Sequence, residues 1–374
     1  MKLLINTAST FKGGGVQVAK SFINECKHFP EHRYHVILGC KLASQIKTAS
    51  FPSNFTFSKI DYRPAQKVRT PFYNDFILSK VENEFEPDVV FSTTGPSYNK
   101  FKVPHLVGYN LPHYIYADSP FFDIIPLWKK WRWKLKGLVI KYFYKRDATA
   151  IVGQTKDVAK KAASWLKINK TFTVSNTFNH FFHQKLNDQV ILEKSKKFRL
   201  LILSSYHHHK NFQILNQIAK QLEQNNINNI EFVLTLNTDY FDTIFSADAK
   251  KYILNIGPVQ IHNTPYLYRD VDALFQPSLL ECFSANFPEA MKMEKPIITT
   301  DLSFTKGVCG AAAIYYKATD ANDAYEKIIQ LSKDTSLRKK MVENGKKQLN
   351  QFPSAGKRAQ NYLNACKELM KASN

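Results

Sequence analysis

An alternation of short apolar runs with helical patterns, set up once near the start of the chain and again near its middle, restricts the fold more than any other feature. Lys2 to Thr7 is an apolar run that passes through Ala8-Ser9-Thr10 and Gly13-Gly14-Gly15 into a helical pattern from Val16 to Cys26. That is strand, glycine loop, helix. Strand candidates follow at Tyr34 to Leu38, Asp88 to Ser92, His105 to Tyr109 and Thr149 to Gly153, spaced widely enough to hold helices between them. After Asn176 the pattern lapses, and the polar and aromatic stretch Asn179 to Lys197 is the expected linker. A second series has strands at Arg199 to Leu203, Glu231 to Leu236, Ile253 to Ile256, Ala273 to Gln276 and Pro296 to Thr300. Its helices are expected at Lys210 to Gln224, Phe287 to Met293 and Ala321 to Lys333.

Strands alternating with helices produce parallel sheets. The expected class is therefore α/β, with two doubly wound Rossmann-like domains facing a cleft, an N-terminal one over residues 1–180 and a C-terminal one over 198–350. Ligands of such sheets lie at the carboxyl ends of the strands. The length of 374 residues agrees with two cores rather than one. The final segment, Ser336 to Ala372, is lysine-rich and helical in pattern, broken by Pro353 and Gly356, and residues 351–374 are expected to pack back toward the N-terminal domain.

Five scattered cysteines without CxxC spacing indicate neither a disulfide framework nor a zinc site, and a reducing cytosol fits them. The apolar run at the N-terminus is too short for a signal peptide, and no stretch reaches the length of a spanning helix. The formal charge of +21 implies attraction to polyanions. It is densest from Leu127 to Arg146, where eight lysines and arginines occur with no acidic residue and three of the four tryptophans fall within six positions. Basic residues among tryptophans suit an anionic membrane surface, with rings at headgroup level, and residues 120–146 are the expected seat. The plainer alternative is a solvated helix whose tryptophans pack inward.

The richest segment for chemistry runs from Asp270 to Met291. A buried strand, the turn Pro277-Ser278, and a loop through Glu281-Cys282-Phe283-Ser284-Ala285-Asn286 lead into a helix started by Pro288. Glu281 and Glu289 are the paired carboxylates, and amides of Phe283 to Phe287 would point at an anion at the helix start. This segment resembles the "PSxxExFGxxxxEAM" signature of retaining GT-B glycosyltransferases of family 4, and Lys295-Pro296-Ile297-Ile298-Thr299-Thr300-Asp301 is similar to that family's "G-x-PVIxxD". A second stretch, Ser204-Ser205-Tyr206-His207-His208-His209-Lys210-Asn211, is similar to its "GRxxxxKG".

The resemblance implies that Glu289 accepts hydrogen bonds from the nucleotide ribose, Glu281 binds hydroxyls of the transferred sugar, and Lys210 holds the donor diphosphate. It puts Ser205, Phe283, Ser284, Ala285 and Asn286 beside the donor, and Gly14 and Gly15 near its phosphates or the acceptor. Ser284 and Ser205 stand where the family usually has glycine and arginine. His113 is the candidate facing the acceptor, with His105, Asn110 and Asp118 as competitors. No metal or other cofactor is expected: the consecutive side chains of His207, His208 and His209 diverge too much to close around one ion.

The activity implied is sugar transfer from a nucleotide sugar to a glycan or lipid-linked acceptor in cell-surface polysaccharide synthesis. The enzyme would be cytoplasmic and peripheral on the inner face of the membrane. The rival readings are a basic nucleic-acid-binding protein, with aromatic rings stacking on bases, and an inactive or epimerase relative with the same fold.

Overall fold

A computed structural model describes residues 1–11 and 13–372. The chain divides into two compact units, the first made of Met1–Ala117, Pro126–Thr177 and the segment from Pro353 onward, the second of Asp118–Ile125 and Phe178–Phe352.

Unit 1 is built on seven parallel strands: β1 Lys2–Asn6, β2 Arg33–Gly39, β3 Phe55–Ile60, β4 Val89–Ser92, β5 His105–Gly108, β6 Ala150–Gly153 and β7 Thr171–Thr173. Their order across the sheet is β3-β2-β1-β4-β5-β6-β7. Central strands of such a sheet are covered on both faces and read as unbroken apolar runs. Leu3, Leu4 and Ile5 of β1 are accordingly all fully buried. Gly108 ends β5 where a Cβ would come within 2.3 Å of the Thr93 carbonyl oxygen, so a side chain there would push the loop after β4 away.

The core of this unit is completed by the far end of the chain. Phe22, on the helix Gly13–Glu25, meets Phe91 at 5.2 Å and Tyr362 at 5.4 Å between ring centroids. Tyr362 lies on the terminal helix Ala355–Lys371, whose Leu363, Cys366 and Leu369 are also buried there. Arg358 of the same helix is buried and donates to Asn176 Oδ1 and, at 2.7 Å, to Ser21 Oγ.

Unit 2 holds six parallel strands: β8 Phe198–Ile202, β9 Ile230–Leu234, β10 Ile253–Asn255, β11 Ala273–Gln276, β12 Ile297–Thr300 and β13 Ala313–Tyr316. They are ordered β10-β9-β8-β11-β12-β13. The stretch Asn179 to Lys197, expected as a linker, is instead part of this unit, with Phe182 and Leu192 in a core shared with Tyr268, Phe287 and Met291.

Three strands, β3, β7 and β13, carry no clear signal in the sequence. The first glycine helix begins at Gly13 rather than at Val16, and the helix expected from Lys210 begins at Ile214. A short 3-10 turn, His208–Lys210, occupies the difference, closed by Asn211 at φ 52°. That left-handed position is one where glycine is cheapest and asparagine is tolerated.

Candidate functional site

Both sheets reverse their strand order beside their first strand, between β1 and β4 in unit 1 and between β8 and β11 in unit 2. Ligands of open α/β sheets bind at such switch points, beyond the carboxyl ends of the strands. In unit 2 the loop after β8 carries Lys210 and the loop after β11 carries Glu281, so the topology by itself brings the two together. Lys210 Nζ lies 2.9 Å from Glu281 Oε1, both side chains being only about a tenth exposed. The loops are further joined by the Leu279 amide donating to the His209 carbonyl at 2.8 Å, while Ser119 Oγ donates to the Leu279 carbonyl at 2.6 Å.

Beneath the pair lies Gln276, the last residue of β11, 1% exposed and unremarked by sequence reasoning. Its amide nitrogen is 3.0 Å from Glu281 Oε1, 2.9 Å from Ser278 Oγ and 3.4 Å from Ser284 Oγ. Its amide oxygen accepts from Asn286 Nδ2 at 3.0 Å, and the same Asn286 nitrogen donates to the Leu203 carbonyl at 2.7 Å. Asn286 thus ties β8 to β11 across the switch point through its side chain, whereas the sequence offered it as a backbone donor. Polar groups buried this deeply must be paired, and here the pairing holds the Glu281 carboxylate in one orientation.

Glu289 is in the first turn of the seven-residue helix Asn286–Lys292. It is buried, and burial pushes its carboxyl up to about 8. The phenol of Tyr268, which donates to the Asn286 carbonyl at 3.2 Å, feels the Glu289 charge and is itself raised, chiefly by burial. Ser284 is buried on Gln276, the Phe283 ring meets Phe352 at 6.1 Å, and Ala285 directly precedes the helix without supplying a capping side chain. Ser205 is exposed, its carbonyl accepting from Ser204 Oγ at 2.9 Å. The rings of His207 and His209 stack at 5.4 Å, and Tyr206 stacks on Tyr240 at 4.8 Å. Among the described residues no group of His, Cys, Asp or Glu is arranged to hold a metal ion.

In unit 1 the glycines lie at the corresponding switch point. A Cβ on Gly15 would meet Asn110 Nδ2 at 3.7 Å and Thr94 Oγ1 at 3.8 Å, whereas one on Gly14 would meet nothing within 4 Å. The loop after β1 is held to the loop after β4 by the Thr10 and Thr93 hydroxyls, 2.8 Å apart. A small crevice there is lined by Gly15, Thr94, Tyr109, Asn110 and Gln154.

His113 lies flat on Trp133, with ring centroids 4.1 Å apart, and is held down to about 4 by burial, reinforced by the Lys136 charge. An imidazole so depressed is neutral at physiological pH and a weak base. His105, by contrast, is a core residue. Its ring nitrogens are 2.7 Å from Ser92 Oγ and 2.8 Å from the Asp147 carbonyl oxygen.

The basic segment forms the helix Leu127–Asp147. Gly137, Ile140, Phe143 and Tyr144 are buried against unit 1, and Trp133 is taken up by His113. Trp128, Trp131, Leu135, Leu138 and Tyr142 are all exposed. Their spacing of three and four residues puts them on one helical face. No described helix is long and apolar enough to cross a membrane.

Residues 183–348 match the family model described as glycosyl transferases group 1. No curated protein sequence matches the chain. Among solved structures the chain is similar to a glycosyltransferase from Rickettsia africae, at 16% identity and a TM-score of 0.70, covering 99% of this chain and 98% of that one. It is also similar to Anabaena HepE in complex with UDP, at 13% identity and 0.70, covering 98% and 100%. A third is WaaG, a glycosyltransferase involved in lipopolysaccharide biosynthesis, at 12% identity and 0.67, covering 98% and 99%. At these identities the likeness establishes the two-domain GT-B fold.

Proposed function

We propose, from the premise that this chain is a GT-B glycosyltransferase whose residues 183–348 match the glycosyl transferases group 1, that it moves a sugar from a nucleotide sugar with retention of configuration. The acceptor is a glycan or lipid-linked glycan of cell-surface polysaccharide synthesis. The observation that carries this reading is the Lys210–Glu281 pair at 2.9 Å, set by Gln276 at the switch point of unit 2. A nucleotide sugar needs one group for its diphosphate and another for its sugar hydroxyls, close together. A lysine and a carboxylate supply the two chemistries.

In this reading Lys210 binds the donor diphosphate, Glu281 accepts from the sugar hydroxyls and Glu289 from the ribose. The bond from the anomeric carbon to the phosphate oxygen breaks while the acceptor oxygen attacks from the same face, through an oxocarbenium-like state. Lys210 stabilises the negative charge that the diphosphate gains as it leaves. A diphosphate oxygen takes the acceptor proton, so no separate base is called for. That assignment agrees with His113, which is too weakly basic at about 4 to serve as one, and leaves His113, Gly14 and Gly15 as acceptor-side contacts. Neither a metal nor an organic cofactor enters the scheme. The complex of HepE with UDP supports a nucleoside diphosphate sugar as the donor.

The exposed tryptophans of the helix Leu127–Asp147, flanked by lysine and arginine, suit an anionic leaflet and support a cytoplasmic enzyme peripheral on the inner membrane face. Incubation with a panel of nucleotide sugars, reading nucleoside diphosphate release, tests the reaction. Release from at least one donor is expected, with loss of at least about a hundredfold in Lys210→Ala and Glu281→Gln. Full activity in both folded variants would remove the assignment. Product anomeric configuration by NMR tests retention.

A further inference from the structure

The most exposed large apolar residues of the chain are not on the tryptophan helix. Phe72 is 87% exposed and Phe76 78% exposed. Single exposed apolar residues need no explanation. These two, however, are held out by a closely tied segment. Asp75 between them is fully buried. It accepts from the Tyr62 and Tyr73 hydroxyls at 2.8 to 2.9 Å and from the Ile77 and Leu78 amides, capping the helix Phe76–Phe85. Arg146 Nη1 donates to the carbonyls on either side of Phe72, Pro71 at 2.8 Å and Tyr73 at 2.7 Å.

Arg146 is also what places the segment. It follows Tyr142 by one turn of the helix Leu127–Asp147, continuing the edge of the exposed face that carries Trp128, Trp131, Leu135 and Leu138. The phenylalanines therefore stand at the C-terminal end of that apolar stripe. The charge nearby is mainly positive: Arg63, Lys67 and Arg69 precede the segment, set against the exposed Asp61, and the only acidic residue between Arg63 and Phe76 is the buried Asp75.

We propose that the segment around Phe72 and Phe76 is a second membrane-seating element, inserting both rings among the headgroups of an anionic bilayer while the tryptophan helix lies beside it. The inference rests on the membrane reading of that helix. A lipid surface is the occupant that the charge selects. A second copy of the chain seated on this face would set lysines and arginines against their own kind, whereas anionic headgroups neutralise them.

Co-flotation with vesicles of phosphatidylcholine and phosphatidylglycerol tests it, comparing the wild type, Trp128→Ser/Trp131→Ser, Phe72→Ser/Phe76→Ser and Phe72→Leu/Phe76→Leu. The serine pair on the segment is expected to lower partitioning about tenfold or more, and the leucine pair to restore most of it, since apolar area at the interface sets the affinity. In the wild type, amide exchange over residues 70–78 should slow when vesicles are added, a reading that does not depend on any variant folding. If the wild type does not float, the membrane reading itself falls. If it floats and loses binding only in the tryptophan variant, with exchange at 70–78 unchanged, the helix stands and this inference is overturned. A vesicle-free dimer abolished by the serine pair would overturn it in favour of self-association.

Discussion

Glu289 pairs a functional assignment with an unfavourable environment, and the conflict can be measured. Burial raises its carboxyl from an ordinary 4.5 to about 8. The folded state therefore holds a proton that the unfolded chain releases. The stability so contributed is complete below about 4.5 and is lost as pH rises through about 8. Denaturant titrations of Glu289→Gln should lack this decline, leaving the variant more stable than wild type at alkaline pH by about 1–3 kcal/mol. Donor affinity should behave oppositely if an ionised Glu289 accepts from ribose hydroxyls. Calorimetric binding should tighten from pH 6 toward 9 in the wild type (~tenfold per unit at most) and be weak and flat in the glutamine variant. At Gln276 the expectation is kinetic. Gln276→Leu removes the donor that orients Glu281, and a hydrogen bond to a charged group is worth about 1.5–3 kcal/mol, so kcat should fall about 10- to 100-fold with the fold retained. The paired glutamates were legible as a spacing in the sequence. Gln276 was not, because a residue ending an apolar strand before Pro-Ser reads as packing, and only the folded loops reveal that its amide faces four polar partners.

Elements with strong local chemistry were the legible ones. The helix Ala321–Lys333 has the bounds read from the sequence, since Asp320 accepts from the Asn322 and Asp323 amides and marks its start. Strands β3 and β7 lie at the sheet edges, where exposure mixes polar residues into the run and blurs the pattern. The tryptophan helix was legible in composition, but its exposed stripe depends on which face packs on unit 1. One helix end also departs from the family resemblance in a testable way. After Asn286–Lys292 the Glu294 amide bonds to the Met291 carbonyl and the Lys295 amide to the Ala290 carbonyl, a Schellman ending with Glu294 at φ 55°. The family signature has glycine there. A left-handed residue with a side chain costs about 1–2 kcal/mol, which outweighs the solvent-screened Glu294–Lys346 ion pair that glycine would forgo. Glu294→Gly should therefore raise the midpoint of thermal unfolding by a few degrees, and an unchanged or lowered midpoint would show that this ending carries no strain.

At the scale of the whole molecule, the two series of strands were readable from the sequence, and residues 351–374 were expected to pack toward the N-terminal domain, whereas the passage of residues 118–125 into unit 2 was not foreseen. Asp118–Ile125 belongs to unit 2, a long-range choice that leaves no local pattern, and the terminal helix Ala355–Lys371 belongs to unit 1. The second has a consequence for how unit 1 holds together. Its core is closed by Ala359, Tyr362, Leu363, Cys366 and Leu369, all buried against the sheet and the helix Gly13–Glu25. Arg358, also buried, brings its guanidinium to Asn176 and Ser21, near the end and the beginning of the unit. Each large apolar side chain fully buried contributes about 1.5–3 kcal/mol, so a chain ending at Phe352 forgoes an amount comparable to the roughly 5–15 kcal/mol that keeps a domain folded. Truncation there should unfold unit 1 while the strands of unit 2, complete by Tyr316, keep theirs. Hydrogen exchange on the truncated protein would then show lost protection in β1, β4 and β5 and retained protection in β8 and β11. The milder Arg358→Met keeps the apolar closure and removes only the polar tie, so it should lower stability without unfolding either sheet. Retained protection in β1 and β4 after truncation would mean that the first unit closes without the end of the chain.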